Sequence, residues 1–153
     1  MEVKGMALFE ELDLTKLVPQ LDVLLDKVQW IATVALLVGP LVMLAFGLWY
    51  LLIPPKEANH HVGFRTWFGM GSVEAWRATQ KIAGFVWGGC GAILSVVMWI
   101  ISGSLDKLDA MEMAERVFSC LIWQVGIALI TYVGICVVTV VLFDSKGQYR
   151  RKK

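Results

Sequence analysis

The sequence predicts an all-α integral membrane protein, a helical bundle with three transmembrane helices and an N-terminal interfacial amphipathic helix. Of its 153 residues, 58% are hydrophobic and only 18% are charged, whereas soluble domains are nearer half apolar and a quarter charged. The charges lie in segments that separate three apolar runs, each long enough to cross about 30 Å of hydrocarbon. Seven tryptophans, most of them near the ends of these runs, are typical of anchoring at the membrane interface.

The N-terminal segment, residues 1–27, is charged and contains no apolar run of membrane length. From Leu14 onward its apolar residues recur at intervals of three and four, which predicts an amphipathic helix lying in the interface. Pro19 should kink this helix or mark a fresh start. A tail that becomes ordered only near its end is the alternative. Because charges come first and no apolar core of signal-peptide length follows them, we do not expect a removed signal.

The rest of the chain, residues 28–153, is expected to form one membrane domain with three spans. The first span covers about 30–53. The second covers about 82–101, close to the minimum length for crossing, and the third covers about 117–143, which is long enough to require tilt. All three cysteines fall inside these spans, which argues against a disulfide framework.

Small and polar residues inside the spans predict how the helices pack. Gly39-Pro40 should kink the first span. The second span carries small residues at helical spacing, namely Gly84, Gly88, Gly91 and Ser95. We expect this face to let another helix approach closely, the alternative being a groove for a lipid or a partner helix. In the third span Gln124 and Thr131 share one face. A buried amide such as Gln124 usually bonds to another helix, and contact with a substrate is the alternative.

The connector between the first two spans, residues 54–81, is the candidate site, because it holds both histidines, two of the three mid-chain arginines and two of the seven tryptophans. The candidate residues for binding a partner or a lipid are Asn59, Gly63, Arg65, Thr66, Ser72, Glu74, Trp76, Arg77 and Lys81. Ser72 is a suitable N-cap, and Glu74 lies in the first turn, where the helix dipole favours an acid. The helix beginning there should run without a break into the second span.

Two cations of the connector are expected to lie directly above the glycine face, since Arg77 and Lys81 share a helical stripe with Gly84 and Gly88. Such a site suits an anionic group at the membrane surface, either a lipid phosphate or a partner's carboxylate, and Arg65 would converge on it from the preceding turn. Trp76 would anchor at the interface. The alternative is that the two arginines pair with Glu74 or with helix ends and simply fix the loop.

The connector resembles the SdpI family of small bacterial membrane proteins. The shared positions are Asn59, Gly63-Phe64-Arg65-Thr66, Ser72, Glu74, Trp76-Arg77 and Gly84. The similarity covers roughly residues 41–101, and it departs from the family pattern at Trp67, where a proline usually follows the Arg-Thr pair. The resemblance implies an immunity protein that protects a bacterium against a secreted peptide toxin. It also implies a second role, holding a transcriptional repressor at the membrane, as some members of the family do.

Other classes of function lack support in the sequence. His60-His61 are adjacent and have no further histidine or cysteine nearby, so we expect no metal site, although they remain candidates for pH sensing. We expect no cofactor and no nucleic-acid partner. The spans contain no acid or base, which argues against proton-coupled transport through this chain alone. A binding or interaction protein is therefore expected rather than an enzyme.

The distribution of basic residues predicts the topology. The connector and the C-terminal tail together hold nine Lys and Arg residues, whereas the N-terminal segment and the second connector hold five. The positive-inside rule then places the C-terminus in the cytoplasm of a bacterial cell and the N-terminus outside.

Three functions are consistent with these observations. The leading hypothesis is an immunity protein, with a peptide toxin outside, a possible protein partner inside and membrane lipids around it. The second is a small structural subunit of a larger membrane complex, or a homodimer. The third is a binder or processor of a lipid-linked phosphate that uses Arg65, Arg77 and Lys81.

Overall fold

The protein is an all-helical membrane protein in which three long helices pack side by side, as the sequence predicts. The computed structural model describes residues 14–56 and 63–150, and of residues 14–25 only the backbone. Helix α1 is Leu14–Leu52, α2 is Val73–Ser102 and α3 is Ala110–Leu142, with a short 3-10 helix at Leu105–Lys107. Each of the three long helices is long and apolar enough to cross a membrane.

The N-terminal helix is continuous with the first span. The helix begins at Leu14 and runs through both Pro19 and Pro40 to Leu52, without a fresh start at either proline. Residues 1–13 lie outside the described part of the chain. Whether the first turns of α1 lie in the interface stays a prediction.

Helices α2 and α3 begin before the charge-free runs that predict the second and third spans. Helix α2 begins after Ser72, whose hydroxyl accepts a hydrogen bond from the backbone N–H of Ala75. Helix α3 begins after Asp109, whose carboxylate accepts from the backbone N–H of Glu112 at 2.8 Å. These capping side chains satisfy backbone donors of the first turn, so each helix starts at its cap rather than at the hydrocarbon boundary.

Helices α1 and α2 lie close together along the small residues of the second span. A methyl group placed on Gly47 would overlap the backbone of Gly88, and one placed on Gly91 would come within 2.5 Å of the backbone nitrogen of Leu44. A methyl group on Gly84 would lie 2.7 Å from the side chain of Leu51. The glycine face is therefore filled by α1 and is not an open groove.

A hydrogen bond in the middle of the bundle joins α1 to α3. The side-chain amide of Gln124 donates to the backbone carbonyl of Leu36 at 2.9 Å. In a regular helix this carbonyl would accept from residue 40, but Pro40 has no N–H. Gly39 leaves the space that the Gln124 side chain occupies, since a Cβ at that position would lie 2.5 Å from its Oε1 atom. The amide therefore satisfies a carbonyl that the proline leaves without a donor.

Thr131, by contrast, makes no hydrogen bond to another helix among the described residues. Its hydroxyl donates to the carbonyl oxygens of Ile127 and Ala128, both at 2.9 Å and both in its own helix. Sharing a face with Gln124 does not bring it to another helix, because a threonine hydroxyl is short and finds a carbonyl one turn back.

The core consists of two clusters, one toward each end of the bundle. One contains Leu36, Met98, Leu105 and Met113 among others. The other contains Tyr50, Phe64, Ala83 and Ile135. Most of the remaining apolar side chains of α3 face outward, which is the arrangement expected where lipid surrounds the helices.

Candidate functional site

The connector and the C-terminus come together at one end of the bundle. Because the helices alternate in direction, this end holds the last turn of α1, the start of α2 and the end of α3. We call it the basic end: its charged residues, among those the structure describes, are Lys56, Arg65, Arg77, Lys81, Lys146 and Arg150, with Glu74 and Asp144. The opposite, acidic end carries Asp26, Lys27, Asp106, Lys107, Asp109, Glu112, Glu115 and Arg116.

Gly63 lies directly against the ring of Trp76. Its φ angle of +117° is in the region that side chains rarely adopt. A Cβ atom here would lie 2.6 Å and 2.7 Å from two carbons of the indole. Both the backbone conformation and the contact therefore require glycine, which gives this motif position a structural reason.

The next residue, Phe64, is held by a pair of hydrogen bonds to one side chain. Its backbone N–H donates to Oε1 of Gln80 at 2.8 Å, and Nε2 of Gln80 donates to the Phe64 carbonyl at 2.8 Å. Gln80 and Phe64 are both buried. The amide thus satisfies both backbone groups of a buried loop residue, as a neighbouring β-strand would.

Gln80 is a site residue that the sequence analysis does not predict. It is one helical turn after Trp76, so a buried Trp76 would have implied a buried amide beside it. Such an amide needs partners, and the loop backbone is the nearest source of them.

Trp76 is a core residue and not an interfacial anchor. Its side chain has no solvent exposure, and its indole N–H donates to the carbonyl of Pro55 at 2.9 Å. The expectation that it anchors the protein in the interface differs from the structure because the connector folds back over this face of α2. Trp67 is 84% exposed instead, and it is the tryptophan of the connector that can reach lipid headgroups.

Thr66 closes the turn that follows. Its hydroxyl accepts from the backbone N–H of Gly69 at 3.0 Å, and its carbonyl accepts from Met70 at 3.1 Å. The side chain is buried. Thr66 therefore fixes the turn that carries Trp67, at the point where the family pattern has a proline.

Ser72 links the connector to the C-terminal hairpin, residues 143–150. Besides capping α2, its hydroxyl donates to the carbonyl of Gly147 at 2.7 Å. Phe143 and Tyr149 form an antiparallel bridge, and Gly147 has a φ of +71° in the turn between them. One serine thus joins segments 75 residues apart in the sequence.

Asp144 organises the turn of this hairpin. Its carboxylate accepts from the backbone N–H groups of Gln148 at 2.8 Å and Lys146 at 2.9 Å. The bond from Gln148 is the main reason that its pKa lies below the ordinary value, and the nearby charges of Arg150 and Lys146 act in the same direction. The stabilisation is present above the ordinary aspartate pKa of about 3.9 and is lost as the pH falls through the lowered value.

A surface cleft of about 690 Å³ lies between the connector and the hairpin. Its lining includes Phe68, Ser72, Glu74, Gln148, Tyr149 and Arg150. Polar and apolar groups contribute to it in similar measure, so it suits a peptide segment more than a small apolar ligand.

The three candidate cations are all exposed, but they differ in their partners. Arg65 has an interaction partner. Arg77 and Lys81 form no ion pair with any residue in the described ranges, and neither does Glu74. Within the described ranges, neutral hydrogen bonds to Gln80 and Trp76 hold the connector, and Glu74 pairs with neither arginine.

Three of the connector's predicted functional residues lie outside the described part of the chain. They are Asn59, His60 and His61. Among the described residues, no group of three His, Cys, Asp or Glu side chains is placed to hold a metal ion.

The acidic end has a shallow groove on the first turns of α3. It measures about 370 Å³ and is lined by Leu108, Glu112, Glu115, Arg116 and Ser119. Its two carboxylates are exposed, so it presents negative charge away from the connector.

An apolar groove of about 490 Å³ lies beside the middle of the bundle. All three helices contribute to it, among others through Pro40, Phe46, Trp87, Leu121 and Gln124. The indole N–H of Trp87 is buried and has no hydrogen-bond partner among the described residues.

One protein family matches the sequence. Its model, described as the SdpI/YfhL protein family, covers residues 56–143, which is more than half of the chain. This range includes α2, α3 and nearly all of the connector. No curated protein and no solved structure matches.

Proposed function

Because the chain belongs to the SdpI/YfhL protein family, we propose that it is an immunity protein of the bacterial cytoplasmic membrane that protects its cell against a membrane-active peptide toxin. The family match over α2, α3 and the connector is the observation that carries this proposal. The three membrane-length helices support it, since a protein that intercepts such a toxin must lie where the toxin acts.

The charge distribution supports an orientation with the basic end inside the cell. Among the residues whose side chains the structure describes, the basic end has six cations and two acids, whereas the acidic end has five acids and three cations. Basic segments are retained on the cytoplasmic side during insertion. The acidic end then faces outward, and its groove at Glu112 and Glu115 would attract a cationic peptide.

The inner surface offers a separate place for a cytoplasmic protein partner. The cleft between the connector and the C-terminal hairpin is large enough for a peptide segment. Its walls are held together by the hydrogen bond between Ser72 and Gly147. A partner bound here would be held at the membrane while the toxin surface stays free on the other side.

The immunity role is tested by survival. The full chain is expressed in a sensitive bacterium, which is then challenged with a panel of membrane-active peptides from related bacteria. We expect the lethal concentration of at least one peptide to rise several-fold. Protection against none of them, with the protein present in the membrane, would rule out this function.

A charge-neutralised variant locates the toxin surface. Glu112→Gln combined with Glu115→Gln should abolish most of the protection, because both carboxylates line the outer groove. The matched control is Glu74→Gln, which removes one exposed carboxylate at the basic end. Equal loss of protection in the two variants would show that the outer groove is not the recognition surface.

The apolar groove favours one alternative, a structural subunit of a larger membrane complex. An apolar groove formed by all three helices, with Gln124 at its wall, is suited to a transmembrane helix of another chain. Purification from the native host in mild detergent separates the two functions. A stoichiometric protein partner that remains bound in the absence of toxin supports the subunit role.

A further inference from the structure

Helix α2 carries a slanted row of exposed residues spaced four apart. From the basic end toward the middle of the bundle they are Arg77, Lys81, Phe85, Gly89 and Ile93. Phe85 is 71% exposed and Ile93 is 66% exposed. The row therefore begins with two cations and continues as an apolar face.

The two cations line a surface groove beside the C-terminal hairpin. It measures about 460 Å³, and its other lining residues are Val73, Glu74, Ala78 and Tyr149. Neither cation forms an ion pair within the described ranges, so both charges are available. Glu74 is the only acid among the lining residues, which leaves a positive balance suited to an anion.

The position of the cations in the sequence fixes their depth in the membrane. Lys81 is the last charged residue before the long apolar run of α2 begins at Ile82. Cations at that boundary lie at the level of lipid phosphates. Phe85, one turn further along the helix, lies at the level where acyl chains begin.

Gly89 has no side chain, so it leaves a shallow gap, called the lane, in the apolar face between Phe85 and Ile93. A Cβ atom built at this position would meet nothing within 4 Å, so no packing inside the protein requires a glycine here. The lane lies between Phe85 and Ile93 on the surface that faces lipid. Its neighbours Gly84 and Gly88, in contrast, are covered by α1.

We infer that this row binds one anionic phospholipid, with its phosphate against Arg77 and Lys81 and an acyl chain along Phe85, Gly89 and Ile93. A lipid is favoured over a soluble phosphate because the cationic groove leads directly into an exposed apolar lane. The inference is independent of the immunity role: lipid binding and protection from toxin are measured separately and fail separately.

Native mass spectrometry of the full chain in neutral detergent tests the charged half of the site. The protein is titrated with dioleoyl phosphatidylglycerol and, in parallel, with dioleoyl phosphatidylcholine. We expect tighter binding of the first phosphatidylglycerol, and about a fivefold loss of its affinity for each of Arg77→Gln and Lys81→Gln. Lys107→Gln, which removes an exposed cation at the acidic end, should leave the affinity unchanged. Glu74→Gln should increase it.

The apolar half is tested by filling the lane. Gly89→Leu should weaken the binding of phosphatidylglycerol severalfold while the protein keeps its melting temperature, because the added side chain faces only lipid. Inorganic phosphate, followed by broadening of its phosphorus resonance, should not bind at the concentration at which the lipid saturates. The inference is overturned if Lys107→Gln weakens lipid binding as much as Arg77→Gln and Lys81→Gln do. It is equally overturned if inorganic phosphate competes with the lipid, or if Gly89→Leu has no effect.

Discussion

At the scale of single residues, the motif positions of the connector contact one another and the backbone of neighbouring segments. Gly63 makes room for Trp76, Trp76 donates to Pro55, and Ser72 reaches Gly147. Two of these interactions are hydrogen bonds to a backbone carbonyl, one in the connector and one in the C-terminal hairpin. A polar loop at the membrane boundary has few other means of satisfying its buried donors and acceptors, because neither helix nor sheet is available to it.

The first prediction concerns Gln80. Replacing it by leucine keeps the volume but leaves the buried N–H and carbonyl of Phe64 without partners, which costs about 1–3 kcal/mol for each group. We expect Gln80→Leu to lower the thermal midpoint of the detergent-solubilised protein by several degrees and to make the connector more accessible to protease.

Gln148→Leu is the matched control. Gln148 is exposed, and its side chain makes no hydrogen bond within the described ranges, so its replacement should leave the midpoint within about 1 °C. A midpoint for Gln80→Leu equal to that of the control would mean that the paired hydrogen bonds to Phe64 contribute nothing.

At the scale of helices, two different devices hold α1 to its neighbours. Against α2 it packs through glycines, which allow close approach and dispersion contact. Against α3 it relies on a hydrogen bond to the carbonyl that Pro40 leaves without a donor. Both devices suit a membrane, where lipid is as apolar as the helix surfaces and burial alone gives little preference for helix over lipid.

The second prediction couples Pro40 to Gln124 in a double-mutant cycle. Gln124→Leu alone should destabilise the protein by about 0.6–2 kcal/mol, because the carbonyl of Leu36 loses its donor. In a Pro40→Ala background the backbone N–H of residue 40 can serve that carbonyl, so Gln124→Leu should cost less. Chemical denaturation in mixed micelles measures the four proteins. Equal costs in the two backgrounds would show that the amide and the proline are independent.

The third prediction distinguishes the two glycines at the closest point between α1 and α2. An added methyl on Gly47 overlaps the backbone of Gly88, whereas one on Gly88 meets atoms of Gly47 only at 3.8 Å, an ordinary contact distance. Gly47→Ala should therefore destabilise the bundle by about 1–3 kcal/mol, while Gly88→Ala should be neutral. Gly126→Ala, whose methyl would meet nothing within 4 Å, is the control. The same thermal midpoint for all three variants would contradict this packing.

At the scale of the whole molecule, the fold gathers most basic residues at one end of the bundle and most acidic residues at the other. The alternating helices bring the connector and the C-terminal hairpin to one end, and the chain's positive charge collects there. Under the proposed function, this arrangement would separate a surface for an inner partner from a surface for a cationic peptide by about one bilayer.

The fourth prediction concerns that orientation. A fluorescent protein fused after Lys153 should fold and fluoresce in the cytoplasm, whereas alkaline phosphatase fused at the same point should remain inactive. Replacing Lys56, Arg77, Lys81 and Lys146 by glutamine should weaken this preference, because the basic residues set the orientation. Phosphatase activity in the unmodified fusion would place the C-terminus outside and reverse the assignment of the two surfaces.

The sequence by itself determined the fold class, the number of spans and the start of α2 after Ser72, because apolar run length and N-cap chemistry are local properties of the chain. The family resemblance was also readable from the connector, and the family match extends it through α3. Only the tertiary structure decided which side chains face which neighbour. Trp76 is buried because the connector folds over it, and Gln80 has partners because the loop brings Phe64 within reach. Gly84 and Gly88 share a helical stripe with Arg77, yet α1 covers the glycines and leaves the cation exposed. Helical spacing fixes the direction in which a side chain leaves the axis of its helix. Its exposure depends on whether a neighbouring helix or loop covers that part of the helix.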